Sequence, residues 1–185
     1  MANVAVILAQ GFEEIEAISV IDVLRRGGVN VLALGLDGLE IKGAHGLSVM
    51  ADGLFEKTDF GQIDMIILPG GLPGADNLAK NTRLKELLAD FNAKGKKLGA
   101  ICAAPMVLGR AGTISGAYTC YPGFESQVSQ DAPSQDNVVT NMNITTSRGP
   151  ATAMEFALAC LSELTSKQNA DEIAKGCLLY TSDAA

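Results

Sequence analysis

Short apolar runs alternate with stretches of helical periodicity along this chain. Asn3 to Leu8 is a nearly continuous apolar run, and Asn30 to Leu34 and Met65 to Leu68 repeat it. Runs this short, apolar at consecutive positions, fit strands buried on both faces. Gln10 and Gly11 mark a turn after the first run. Ile15, Ile18, Ile21, Val23 and Leu24 then predict a helix from about Phe12 to Arg26, closed by Gly27 and Gly28. Alternation with glycines from Leu39 to Ala51 predicts a short β-hairpin whose tip lies near Ala44 to Gly46. Asn77 to Ala93 reads as one helix, with Leu78, Leu84, Leu87, Leu88 and Phe91 as its apolar stripe. A further buried strand ends at Ile101, and its following helix closes around Ala111 and Gly112. Thr113 to Pro133 is rich in loop residues, with a short strand expected near Ala117 to Cys120. Val138 to Thr140 and Ile144 to Thr146 read as two short strands joined by a turn, and the last clear helix runs from Ala151 to Leu164. Strands alternating with helices predict an α/β fold, with a mostly parallel sheet covered on both faces. In such sheets ligands bind beyond the carboxyl ends of the strands, where Gln10, Gly71 and Cys102 all fall.

Composition narrows the function classes. The chain has 185 residues, 48% of them apolar, with 20 glycines and no tryptophan, which suits a globular α/β domain with a sizeable core. A net charge of −7 argues against nucleic acid as a partner. No apolar run approaches membrane-spanning length and no signal-peptide pattern is read at the start, so no membrane partner is expected. The four cysteines, Cys102, Cys120, Cys160 and Cys177, form no close pair. That spacing suggests no metal or CxxC chemistry and points to a reducing cytoplasm. No repeat or linker divides the chain, so a single domain is expected over 1–166. The segment 167–176 reads as a C-terminal remnant. Cys177 to Ala185, CLLYTSDAA, resembles the translated end of a sequencing adaptor. It is expected to be a non-native tail replacing the native C-terminus, and it is left out of the functional reading.

The stretch LGAICAAP, Leu98 to Pro105, carries the chemistry. An apolar strand meets a single cysteine, small residues follow, and proline opens a helix. This is the pattern of a nucleophile elbow, which presents a reactive side chain at a strand end beside a helix N-terminus. The small-residue context fits a buried structural cysteine equally well. Glu13, Glu14 and Glu16 crowd the start of the first helix. The helix dipole accounts for two of them, whereas Glu16 falls close to the inward face and is a candidate acid. Pro69, Gly70 and Gly71 directly follow a strand and can supply a second N–H donor for an oxyanion, although a simple turn explains them too.

Taken together, AQGFEEIEA (Ala9 to Ala17), LPGG (Leu68 to Gly71), GAICAAP (Gly99 to Pro105) and TSRGP (Thr146 to Pro150) resemble the ThiJ/PfpI superfamily. The likeness is to the branch of the Parkinsonism-associated protein deglycase and its bacterial relatives, and it covers about Asn3 to Leu164. The resemblance implies a flavodoxin-like three-layer sandwich, a homodimer and no cofactor or metal. It also implies Cys102 as the reactive residue, Glu16 as its hydrogen-bonding partner, and the N–H groups of Gly71 and Ala103 as an oxyanion pocket. Gly70, His45, Tyr121 and Pro150 are further pocket candidates. Relatives are described as glutathione-independent glyoxalases, as deglycases and as oxidation-sensing chaperones. A small dicarbonyl or a glycated molecule is therefore the expected substrate, with protection against oxidative stress as the setting. The alternatives are a non-catalytic redox sensor or chaperone switched at Cys102, a glutaminase-like amidotransferase and a cysteine peptidase. The chain departs from the family pattern at two places. Tyr121 stands where the human branch has a histidine, and His45 stands where it has a hairpin arginine. The peptidase-like branch has a histidine directly after its cysteine, and this chain has Ala103. His45, on a hairpin tip far along the chain from the elbow, is not expected to be the catalytic base. Glu16 is expected to be protonated at neutral pH, and Cys102 to be ionised.

Overall fold

The structure is a computed structural model and describes residues 1–179. Its core is a seven-stranded sheet, ordered β5-β2-β1-β6-β7-β9-β8. The strands are β1 (Asn3–Leu8), β2 (Asn30–Gly35), β5 (Gly53–Leu54), β6 (Met65–Leu68), β7 (Lys97–Ile101), β8 (Val138–Asn141) and β9 (Ile144–Ser147). All neighbours run parallel except β8, which returns antiparallel against β9 across the Met142 turn. The continuous apolar runs behave as expected: Val4 to Leu8 and Met65 to Leu68 are completely buried. A separate hairpin, β3 (Glu40–Lys42) with β4 (Ser48–Met50), stands beside the carboxyl end of β1. It is held there by the Gln10 side chain, whose amide donates to Glu40 O at 3.0 Å and accepts from Lys42 N at 2.9 Å.

Helices cover both faces. The first helix α1 (Glu14–Arg26) packs against α6 (Ala153–Leu164), and α6 against α7 (Lys167–Gly176). On the other side lie α2 (Gly74–Lys80), α3 (Thr82–Ala93), α4 (Pro105–Arg110) and α5 (Glu125–Val128). This is the mostly parallel α/β architecture expected from the pattern, in the flavodoxin-like form that the resemblance implies.

Three local readings need correction, and one strand carries no sequence signal. The helix predicted over 77–93 is two helices, because Asn81 ends α2 and starts α3, its Oδ1 accepting from Leu84 N–H at 2.9 Å. An asparagine that can cap a helix competes with continuing one. The strand expected at Ala117 to Cys120 does not form. That segment is tied by side chains instead, with Thr119 N donating to Thr146 Oγ1 at 2.9 Å and the Tyr118 hydroxyl donating to Asp131 O at 2.9 Å. The face of α1 is rotated from the one predicted: Ile15 and Ile18 are exposed, whereas Glu14, Glu16, Ala17 and Val20 are buried with Val23 and Leu24. The two-residue edge strand β5 carries no apolar run that could have announced it.

The segment 167–176 forms helix α7. Ser166 caps it by accepting from Asn169 N at 3.2 Å, and the Asn169 side chain donates to Gly27 O at 2.9 Å, tying α7 to the end of α1. Of the expected tail, Cys177 to Leu179 continue from α7, and 180–185 lie outside the described residues. Among the described residues no helix is long and apolar enough to cross a membrane.

Candidate active site

The sheet brings three strand ends together. Strand β7 stops at Ile101, and Cys102 follows with φ of 64°. A non-glycine residue in the left-handed region is held there at a cost of roughly 1–3 kcal/mol by what surrounds it. Here Cys102 N donates to Ser147 O at the end of β9, and Tyr121 N donates to Cys102 O, both at 2.9 Å. The small residues Ala103 and Ala104 let the chain turn directly into α4, which opens on Pro105. The elbow read from the sequence is therefore present.

Beside it, β6 ends in Gly70 and Gly71. A β-carbon on Gly70 would stand 2.7 Å from Cys102 Cβ and 2.9 Å from Glu16 Oε2, so no larger residue fits between the thiol and the carboxyl. Gly71 has φ of 84° and lies against the backbone of Gly11 and Glu13. The two glycines divide the work. Gly70 N–H donates to Glu16 Oε2 at 2.7 Å, and Gly71 N–H points at Cys102.

Glu16 is fully buried on the first turn of α1. Its Oε1 has no hydrogen-bond partner among the described residues. Leaving such an atom unpaired costs roughly 1–3 kcal/mol. Burial pushes the Glu16 carboxyl up to about 7; the Gly70 N–H and the Cys102 thiol pull it down, and the nearby Glu13 carboxylate raises it further. Burial also pushes the Cys102 thiol up, to about 12, and the Glu16 carboxylate adds to the rise. The N–H groups of Gly71 and Ala103 act in the opposite direction. The carboxyl is thus raised in the expected direction, whereas the thiol is raised rather than lowered. Two N–H groups and a short helix do not offset desolvation beside a carboxylate.

A cavity of about 620 Å³ opens above the thiol. Of the predicted pocket residues, Cys102, Gly71, Ala103, His45, Tyr121 and Pro150 line it, whereas Gly70 lies behind the wall. Tyr121 and Pro150 also border a second cavity of about 310 Å³ that contains Arg148. The fold overturns the inference that distance along the chain separates His45 from the elbow. Glu14 reaches up to the hairpin tip, its Oε1 accepting from His45 N at 2.8 Å and Leu47 N at 3.3 Å, and this places His45 at the rim. Burial raises the Glu14 pKa, but these donors outweigh it and the carboxyl ends below its ordinary value. His45 is held above its ordinary value by its contact with Glu14 and by the Glu13 charge. Glu13, Ile15, Ala44 and Leu72 complete the lining and were not singled out as pocket residues. The three clustered glutamates were the available signal for Glu13, but the dipole explanation had absorbed it.

Comparison with known proteins fits this geometry. The model of the DJ-1/PfpI family matches residues 2–163. The chain belongs to the DJ-1/PfpI family. It is 39% identical over 178 residues to the protein dj-1beta of Drosophila melanogaster, covering 94% of this chain and 95% of that protein. The crystal structure of that Drosophila protein superposes with a TM-score of 0.92 at 38% identity, covering 97% of this chain and 99% of the other. A Caenorhabditis elegans relative named glutathione-independent glyoxalase DJR-1.2 is 36% identical over 165 residues, covering 88% of each chain.

Proposed function

We propose that this chain is a cofactor-free cysteine enzyme that converts reactive dicarbonyls to 2-hydroxy acids, a glutathione-independent glyoxalase with deglycase-type action on glycated molecules. The observation that carries the reading is the unpartnered Glu16 Oε1 beside an elbow cysteine that opens on a cavity.

The chemistry follows from the proton inventory. Glu16 takes the thiol proton and the thiolate attacks the aldehyde carbon of methylglyoxal. The oxyanion forms beside the N–H groups of Gly71 and Ala103 and takes the proton back from Glu16, giving a hemithioacetal. The Glu16 carboxylate then removes the hydrogen from that carbon and delivers it to the neighbouring ketone carbon, while the hydroxyl proton of the hemithioacetal shifts to the former ketone oxygen. The product is a 2-hydroxy thioester, isomeric with the hemithioacetal. Water cleaves it to lactate and restores the thiol. No oxidant or reductant is consumed. His45 has no part in these steps, since its ring is engaged by Glu14 at 3.1 Å.

The same reading includes a homodimer and a cytoplasmic setting for a single domain spanning 1–166. Exposed Ile15 and Ile18, one turn apart on α1, together with exposed Leu47 and Met50 on the hairpin, offer an apolar surface of the kind that a second copy covers. The test is lactate formation from methylglyoxal by the purified protein and by Cys102→Ser. Turnover lost in the variant supports the enzyme. If the wild type makes no lactate and Cys102 gains two oxygens under mild peroxide, the chain is a redox sensor instead.

A further inference from the structure

We propose that Glu13, Glu14 and His45 form a binding site for a divalent first-row cation of the Zn²⁺ class at the mouth of the cavity. Each residue offers one ligand atom, and the three atoms lie within 4.8 Å of one another. His45 Nδ1 stands 3.1 Å from Glu14 Oε2 and 3.5 Å from Glu13 Oε1. Ligands at about 2.0–2.1 Å from a tetrahedral Zn²⁺ are separated from each other by about 3.3 Å, so the two edges that meet at His45 already have nearly the length that the ion requires.

Glu13 supplies an independent reason. It is only 9% exposed, and its carboxylate takes part in no hydrogen bond among the described residues. Its Oε1 stands 3.5 Å from the His45 ring nitrogen. A carboxylate on a side chain only 11% exposed, 3.5 Å from a histidine nitrogen and with no N–H donor of its own, is short of positive charge. A dication supplies that charge. Glu14 is in the opposite condition: Oε1 is fixed by two backbone N–H groups, leaving Oε2 oriented toward the ring. That is the outer support that orients a metal ligand. Two carboxylates and a neutral imidazole balance the charge of the ion, and the set is the one-nitrogen, two-oxygen combination that borderline cations accept.

Three protein ligands leave a coordination position free, as in catalytic rather than structural zinc sites. Glu13 and His45 both line the cavity that Cys102 lines. The open position therefore faces it, available to a water or a substrate oxygen. The sequence offered no metal-ligand spacing, because the ligands come from the start of α1 and from a hairpin tip thirty-one positions further on.

The test is calorimetric titration with Zn²⁺ of protein carrying Cys102→Ser and Cys177→Ser, which removes the competing thiol at the cavity and the partly exposed one. One Zn²⁺ per chain is expected, with affinity falling at least about tenfold in Glu13→Gln and in His45→Ala. Because His45 is the only histidine, its ring resonances report on the site directly, and Zn²⁺ is expected to shift them. Co²⁺ is expected to give a ligand-field spectrum in the same thiol-depleted protein. Absence of stoichiometric binding in that protein would overturn the proposal, as would unchanged affinity in both variants or a ring spectrum indifferent to Zn²⁺. Either variant that unfolds is replaced by Glu13→Ala or His45→Gln, and the ring spectrum of the parent protein decides independently.

Discussion

Glu14 and Glu16 are two residues apart on one helix and serve two regions of the molecule. Glu14 faces the hairpin, where two N–H groups and a histidine ring satisfy it and hold its pKa down. Glu16 faces the strand ends, where it has one N–H, an orphaned oxygen and a thiol, and its pKa rises to about 7. Both are buried. Burial therefore does not decide what a carboxylate does; the number of donors that meet it does. Satisfied, it staples a hairpin. Left short, it can exchange a proton. The cysteines repeat the lesson, since burial raises Cys160 as it raises Cys102, yet Cys160 is fully buried in α6 whereas Cys102 lines the cavity.

The largest effect should come from the elbow side. Cys102→Ser is expected to reduce lactate formation to the uncatalysed rate, because a hydroxyl is a far poorer nucleophile than a thiol beside the same base. Glu16→Gln keeps the size and loses the proton exchange, so kcat/KM for methylglyoxal should fall about 10²- to 10⁴-fold while the fold is retained. A smaller drop would move the proton-transfer role away from Glu16. Gly70→Ala should cost about 10²-fold in the same assay by pushing the thiol and carboxyl apart, the usual consequence of a misplacement near 1 Å.

The next experiment reads the comparison as stability. The folded-state pKa of Glu16 is raised from 4.5 to about 7, so the folded chain holds a proton that the unfolded chain has released. Its contribution is full at low pH and is lost as pH rises through that window, amounting to about 3 kcal/mol. Urea unfolding at pH 5 and pH 7.5, with EDTA present to keep cations off the neighbouring cluster, should show this loss in the wild type and a flatter profile in Glu16→Gln. Identical slopes would mean that Glu16 titrates normally. On the hairpin side, Glu14→Gln should lower stability by about 1–3 kcal/mol through weaker bonds to His45 and Leu47, measured by the same unfolding. If it instead reduced kcat/KM as much as Glu16→Gln, the division between the two regions would fail.

Much of this protein was legible in its sequence because the informative signals are local. Continuous apolar runs marked the parallel strands, since a strand buried on both faces has no polar alternation. The elbow was visible because a strand, one cysteine, two alanines and a proline leave few other conformations. Gly70 and Gly71 were marked because glycines directly after a strand end can offer an N–H donor there. The tertiary structure decided what depends on partners distant in the chain. The face of α1 turned away from the periodicity of its isoleucines, because Glu14 and Glu16 found N–H donors at Leu47 and Gly70 that no local pattern encodes. The strand expected at Ala117 to Cys120 gave way to side-chain ties from Thr146 and Tyr118. His45 reached the cavity because a hairpin folded over a strand end. The ionisation of Cys102 likewise belongs to the folded state. A helix N-terminus can be read from residues in order, but desolvation and an adjacent carboxylate exist only once the chain has packed, and here they outweigh it.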